Sequence, residues 1–280
     1  MASPTNQQGT CANRNGSEKN ENQDIQNNLL RIRHKLIVMS GKGGVGKSSF
    51  SVNLAASMAK KGFHVGLLDV DLHGPSVAGM LGNSQLLDVD PTNKVIPNKY
   101  NENLKFVSMQ SLMRDGDQAV IWRGPAKTGV IQQFIGSVLW QDLDFLIVDS
   151  PPGTGDEPLS VAQTINDAKA IIVTTPQEVA LSDVRKSINF CRTVNLELLG
   201  LVENMGPFNC PCCGETIELF KKDGGAVTAE KMGITNLGSI PFDPKLVKAC
   251  DTGRPLADTN ESTDFVNALN IVIKNITEKL

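Results

Sequence analysis

The chain of 280 residues lacks several features that would assign a function class at once. It has no run of the ~18 apolar residues that a membrane-spanning helix needs. Its N-terminal stretch has no apolar h-region, which argues against a secretory signal. Positive charge is not in excess: 27 Lys and Arg stand against 30 Asp and Glu, for a net charge of −3. Neither nucleic acid nor an anionic membrane is therefore an expected partner. No internal repeat is evident. The 6 cysteines, three of them crowded at Cys210, Cys212 and Cys213, do not resemble an extracellular disulfide framework. A metal or redox role in a reducing, cytoplasmic setting fits them better.

What is present is the composition of a globular protein, with 40% hydrophobic and 20% charged residues. Residues 1–28 are rich in Asn, Gln, Ser and Gly and predict a disordered tail, with Cys11 alone in it. A short amphipathic turn over 25–32 leads into the first strand. From Lys35 onward β-rich apolar runs alternate with helical patterns. Strands are predicted at Leu36–Ser40, Val65–Asp69, Leu104–Ser108, Phe145–Asp149, Ala170–Thr174, Leu199–Glu203 and Leu237–Ile240. Helices are predicted at Ser48–Lys61, Thr128–Gln141, Glu157–Asn166, Leu181–Val194 and Pro244–Asp251, with a last one from Thr263 to Lys279. Runs such as Phe-Leu-Ile-Val read as strands covered on both faces, hence parallel. The expectation is one α/β domain over 35–280, a doubly wound, mostly parallel sheet of about seven strands with ligands at the C-terminal strand ends.

Gly41-Lys42-Gly43-Gly44-Val45-Gly46-Lys47-Ser48 matches the phosphate-binding loop G-x-x-x-x-G-K-[ST], between a predicted strand and a predicted helix. Glycines let backbone N–H groups converge, and the helix N-terminus favours an anion. The nucleotide-binding run is thus Gly41, Lys42, Gly43, Gly44, Val45, Gly46, Lys47, Ser48 and Ser49. Lys47 is expected on the β- and γ-phosphates, and the Ser48 hydroxyl on Mg²⁺.

Further strand ends carry acidic or backbone groups suited to the same ligand. Asp69 and Asp71 bracket the end of the second strand, and His73 nearby reads as a loop residue. Asp142–Asp149 is an apolar strand ending in a carboxylate, the Walker B pattern, which places Asp149 on Mg²⁺. Ser150-Pro151-Pro152-Gly153-Thr154-Gly155-Asp156 follows, where Gly153 can offer a bare N–H to a γ-phosphate. Cys210-Pro211-Cys212-Cys213-Gly214 contains the C-x-x-C pair Cys210 and Cys213 at metal-ligand spacing. A second such pair is missing, and Cys191 and Cys250 sit in helical patterns as core residues, so one chain holds half a four-thiolate site. A two-fold dimer supplies the other half.

G-K-G-G-V-G-K-S resembles the loop of the deviant Walker ATPases, the class of MinD, ParA, the nitrogenase iron protein and the Mrp/ApbC proteins. D-S-P-P-G-T-G-D and N-M-G-P-F-N-C-P-C-C-G resemble, more narrowly, switch II and the cysteine signature of Mrp/ApbC iron–sulfur carriers. The resemblance covers about residues 35–275. It implies an ATPase in which Lys42 reaches the partner's nucleotide, Asp71 orients the attacking water, Asn204 bonds adenine and the backbone at Pro241 lines it. It further implies a homodimer bridging a [4Fe–4S] cluster and handing it to apo-proteins. Cys212, at a position the signature leaves variable, departs from the pattern.

Three other readings compete. A positioning ATPase of the MinD/ParA kind needs a basic amphipathic C-terminal helix, whereas 264–280 has an apolar stripe with only Lys274 and Lys279 against Asp264 and Glu278. An electron-transfer ATPase needs cluster cysteines flanking switch II, and 150–156 holds none. A dimeric Cys₄ zinc protein suits the same cysteine pair.

Overall fold

A computed structural model describes residues 25–72, 74–112, 124–210, 212–220 and 223–280. The predicted tail up to residue 24, with Cys11, lies outside the described residues, as do His73 and Pro211. Residues 25–29 form a helical turn whose Ile25 and Leu29 are buried.

The chain then runs β1 (Ile32–Met39), α1 (Lys47–Lys60), β2 (Val65–Asp69), α2 (Val77–Met80), β3 (Asn98–Lys99), β4 (Leu104–Ser108), α3 (Gly124–Ser137), β5 (Leu143–Asp149) and α4 (Asp156–Thr164). It continues with β6 (Lys169–Thr174), α5 (Glu178–Thr193), β7 (Glu197–Gly206), α6 (Gly224–Met232), β8 (Asn236–Pro241), α7 (Pro244–Asp251) and α8 (Asp264–Thr277). One sheet of 8 strands takes the order β8-β7-β6-β1-β5-β2-β4-β3. All pairings are parallel except the edge pair β3–β4.

The seven predicted strands are all present. The eighth, β3, is two polar residues with no apolar pattern to betray it. Helix α6 was not predicted either, because the glycine pair Gly224-Gly225 that opens it reads as loop. Helix α3 begins and ends earlier than its periodicity suggests. The chain after it turns at Val138, which bridges to Val95, and buries Trp140 completely.

Strand alternation explains why both sheet faces are covered. On β1, Leu36 and Val38 face one core, shared with α1 and α8, while Ile37 and Met39 face the other, shared with α3 and α5. On β5, Phe145 and Ile147 join the first core, and Leu146 and Val148 the second. The apolar stripe of α8 is spent in this packing: Phe265, Leu269, Val272, Ile273 and Ile276 are all buried. Among the described residues no helix is long and apolar enough to cross a membrane. Register then sets the site. Asp149 at the end of β5 lies beside Val38 on β1 and Asp69 on β2, and Asp69 lies beside Ser108 on β4.

Candidate functional site

The phosphate loop leaves the C-terminal end of β1 and enters α1 at Lys47. Gly44 and Gly46 adopt φ of 80° and 79°, where a side chain is strained. Gly41 is required for a different reason. A Cβ there would lie 2.5 Å from the backbone carbonyl carbon of Asp183, so the loop can rest on α5 only without a side chain. Lys47 Nζ lies 2.8 Å from Asp149 Oδ1 and 3.3 Å from Ser48 Oγ. The Ser48 hydroxyl donates to Asp149 Oδ2 at 2.6 Å, and the Ser51 hydroxyl to Oδ1 at 2.8 Å. Lys47 is 7% exposed and Asp149 0%. A charge buried this deeply is sustained only by a counter-charge and several donors.

Asp69 stands beside Asp149 and is equally buried. Burial first, and the neighbouring Asp149 charge second, push its carboxyl up to about 7, against the pull of the Ser108 hydroxyl. Its oxygens accept that hydroxyl at 2.9 Å and the backbone N–H groups of Asp71, Ser76 and Val77 at 3.2, 3.1 and 3.2 Å. Asp69 therefore braces the loop that carries Asp71. Asp71 accepts the Gly74 N–H at 3.1 Å and lines a cleft of about 250 Å³ with Ser40, Lys47, Ser48, Ser49 and Pro152. Gly153, at φ 90°, donates its N–H to the Ser40 carbonyl at 2.8 Å. Lys42 Nζ donates to Gln177 Oε1, at the start of α5, at 3.1 Å.

A second cleft, of about 220 Å³, shares Gly46, Ser49 and Met80 with the first. It gathers Asn204 and Pro241, the two residues expected to meet a base, with Met205, Phe242 and the α7 side chains Leu246, Val247 and Cys250. Asn204 is buried and its Nδ2 donates to the Val45 carbonyl at 2.9 Å, so it also holds the phosphate loop in place. Sequence reasoning missed Ser51, Gln177, Met205 and Phe242. Met205 and Phe242 had a signal, standing within the strand-end stretches Glu-Asn-Met and Ile-Pro-Phe-Asp; Ser51 and Gln177 are recruited by tertiary packing.

The cysteine knuckle caps a ribbon in which Phe208–Asn209 pairs antiparallel with Thr216–Ile217. The Cys210 N–H donates to the Glu215 carbonyl, and the Gly214 N–H to the Cys210 carbonyl, each at 2.8 Å. Gly214 at φ 75° closes the turn. Cys210 is half-buried, and Cys212 and Cys213 are exposed. Hydrogen bonds from the backbone N–H groups of Cys212 and then Cys213 draw the Cys210 thiol below its ordinary range. Burial does the opposite elsewhere: it pushes Cys191 up to about 11 and raises Cys250. Thiolate character, which metal binding needs, is thus favoured at Cys210 and disfavoured at Cys191 and Cys250. Among the described residues, no group of three or more His, Cys, Asp or Glu side chains within one chain is placed to hold a metal ion.

Comparison with known proteins places this geometry in a family. Residues 31–277 match the family described as the NUBPL iron-transfer P-loop NTPase. An iron–sulfur cluster carrier protein of Methanocaldococcus jannaschii is 40% identical over 274 residues, 97% of this chain and 93% of that protein. A cytosolic Fe-S cluster assembly factor NUBP2 homolog of Culex quinquefasciatus is 42% identical over 257 residues, 90% of this chain and 98% of its own. The solved nucleotide-binding protein of Archaeoglobus fulgidus, in complex with ADP, superposes with a TM-score of 0.75 at 37% identity, covering 87% of this chain and 95% of that one. This chain belongs to the NUBPL iron-transfer P-loop NTPase family.

Proposed function

We propose that this protein is an ATP-dependent cytoplasmic carrier of iron–sulfur clusters, its cargo a [4Fe–4S] cluster shared by a homodimer and passed to apo-proteins. The observation that carries the reading is the Cys210–Cys213 knuckle, held on a ribbon whose first residue, Phe208, packs on Phe242 in the wall of the second cleft. The names of the M. jannaschii and Culex relatives support the cargo and the compartment. Two thiolates per chain and about four cysteine ligands per cubane cluster support the dimer.

Lys47 directs its ammonium at the β- and γ-phosphates, exchanging the Asp149 contact for them. The Ser48 hydroxyl and the Asp149 carboxylate are hard oxygen donors 2.6 Å apart and suit Mg²⁺, which neutralises phosphate charge when bound. Asp71, on the loop that Asp69 braces, orients the attacking water. Gly153 gives its N–H to the γ-phosphate in place of the Ser40 carbonyl, so loss of that phosphate lets the loop relax. Turnover is slow, because the motifs supply no arginine finger. Lys42 leaves Gln177 to reach the partner's nucleotide.

Removing Lys47 strips the counter-charge from a buried carboxylate. Lys47→Ala is expected to abolish ADP binding in calorimetry and to lower stability by about 3–5 kcal/mol; unchanged ATPase in the folded variant would sink the assignment. Lys42→Ala should reduce ATP hydrolysis far more than ATP binding. Equal loss of both would confine Lys42 to its own protomer.

After anaerobic reconstitution, Cys210→Ala and Cys213→Ala should each lose the cluster's visible absorption, while Cys11→Ala and Cys191→Ala keep it. Cys212→Ala should have a modest effect, because its neighbour Cys213 already occupies the ligand position. A Cys213→Ala protein that retains the cluster contradicts the reading, and a colourless wild-type protein holding zinc favours the Cys₄ zinc alternative.

A further inference from the structure

The residues between the base cleft and the cysteines form a continuous path. Asn204 and Met205 line the cleft, Gly206 ends β7, and Phe208 opens the ribbon two positions before Cys210. The path is also closed through space. The Phe208 ring lies 5.3 Å from the ring of Phe242, at an interplanar angle of 58°. Phe242 lines the same cleft, and its N–H donates to the Gly206 carbonyl at 3.0 Å.

Within this path Met205 is held at φ 59°, a left-handed conformation rare for a residue with a long side chain. Such a conformation is strained and persists only where the surroundings impose it. Here they do so from both sides. Asn204 is fixed to the Val45 carbonyl. Gly206 is pressed so close to β8 that a Cβ there would lie 2.7 Å from Ser239 Oγ. A base entering the cleft meets Met205 and Phe242 directly. Phe242 is in turn packed on Phe208, the first residue of the paired ribbon.

We propose that Phe208 is a positioning residue that couples occupancy of the base cleft to the geometry of the Cys210–Cys213 pair, with Met205 as the strained hinge. The inference rests on the carrier reading only in taking those two cysteines as metal thiolates. Coupling of this kind is reciprocal: metal on the thiolates must change nucleotide affinity by the factor with which nucleotide changes metal affinity.

The test uses the full chain, constant Mg²⁺, ADP titrated by calorimetry, and Cd²⁺ as the thiolate probe. Cd²⁺ binds a thiol pair whatever the natural cargo is, so a failed cluster reconstitution would defeat the carrier reading and leave this experiment standing. In the wild type, Cd²⁺ is expected to shift ADP affinity by about fivefold or more. The shift should vanish in the Cys210→Ala, Cys213→Ala double variant. In Phe208→Leu it should collapse while ADP affinity without Cd²⁺ stays as in the wild type. Met205→Gly, which removes the strain, should also shrink the shift and provides the check should Phe208→Leu fold poorly. A full shift in folded Phe208→Leu, a full shift in Met205→Gly where Phe208→Leu does not fold, or no shift in the wild type overturns the proposal.

Discussion

The negative charge of Asp149, buried at the end of a central strand, is the constraint on which the site depends. A carboxylate with no exposed surface must be neutralised and hydrogen-bonded within the fold. Lys47, Ser48 and Ser51 do this from the first turns of α1, and so fix the helix and its phosphate loop against β5. Asp69 beside it is an acid in the same environment. Its raised affinity for a proton limits the charge that the pocket must accommodate. Its oxygens serve instead as acceptors for the loop leading to α2.

Much of this was legible in the sequence because it is written in local patterns. The phosphate loop has fixed spacing, and the parallel strands are near-continuous apolar runs. The two carboxylates end such runs, so their position at the ligand edge follows from the register of β1, β2 and β5. The departures have physical causes. Strand β3 consists of Asn98 and Lys99, whose pairing with β4 is decided by the edge of the sheet and not by hydrophobicity. Helix α6 opens on glycines and is anchored from outside, by the Glu203 carboxylate accepting the Gly225 N–H at 2.6 Å. Asn204 was legible as a residue at a strand end, but its hold on the Val45 carbonyl is a contact between residues 159 apart in sequence. Nothing in the spacing of Met205 and Phe242 says that they share a cleft.

The chain thus divides two physical tasks. Lys47, Asp69 and Asp149 are buried and held by hydrogen bonds at the strand ends, the kind of fixed arrangement that electrostatic positioning requires. The thiols of Cys212 and Cys213 lie exposed at the end of a narrow ribbon. Cys210 gains thiolate character from its own knuckle, whereas Cys191 and Cys250 lose it to burial. Among the described cysteines, Cys210, Cys212 and Cys213 stand together at the knuckle, apart from the buried Cys191 and the half-buried Cys250. The route from phosphate to thiolate is short and passes through the wall of the base cleft.

The central claim is that a cluster is held between two chains. It is tested most directly by measuring iron, sulfide and molecular mass together on anaerobically reconstituted protein separated by size. The account predicts that the coloured species is a dimer with about four iron and four sulfide per two chains. A coloured monomer carrying the full complement of iron and sulfide would contradict it.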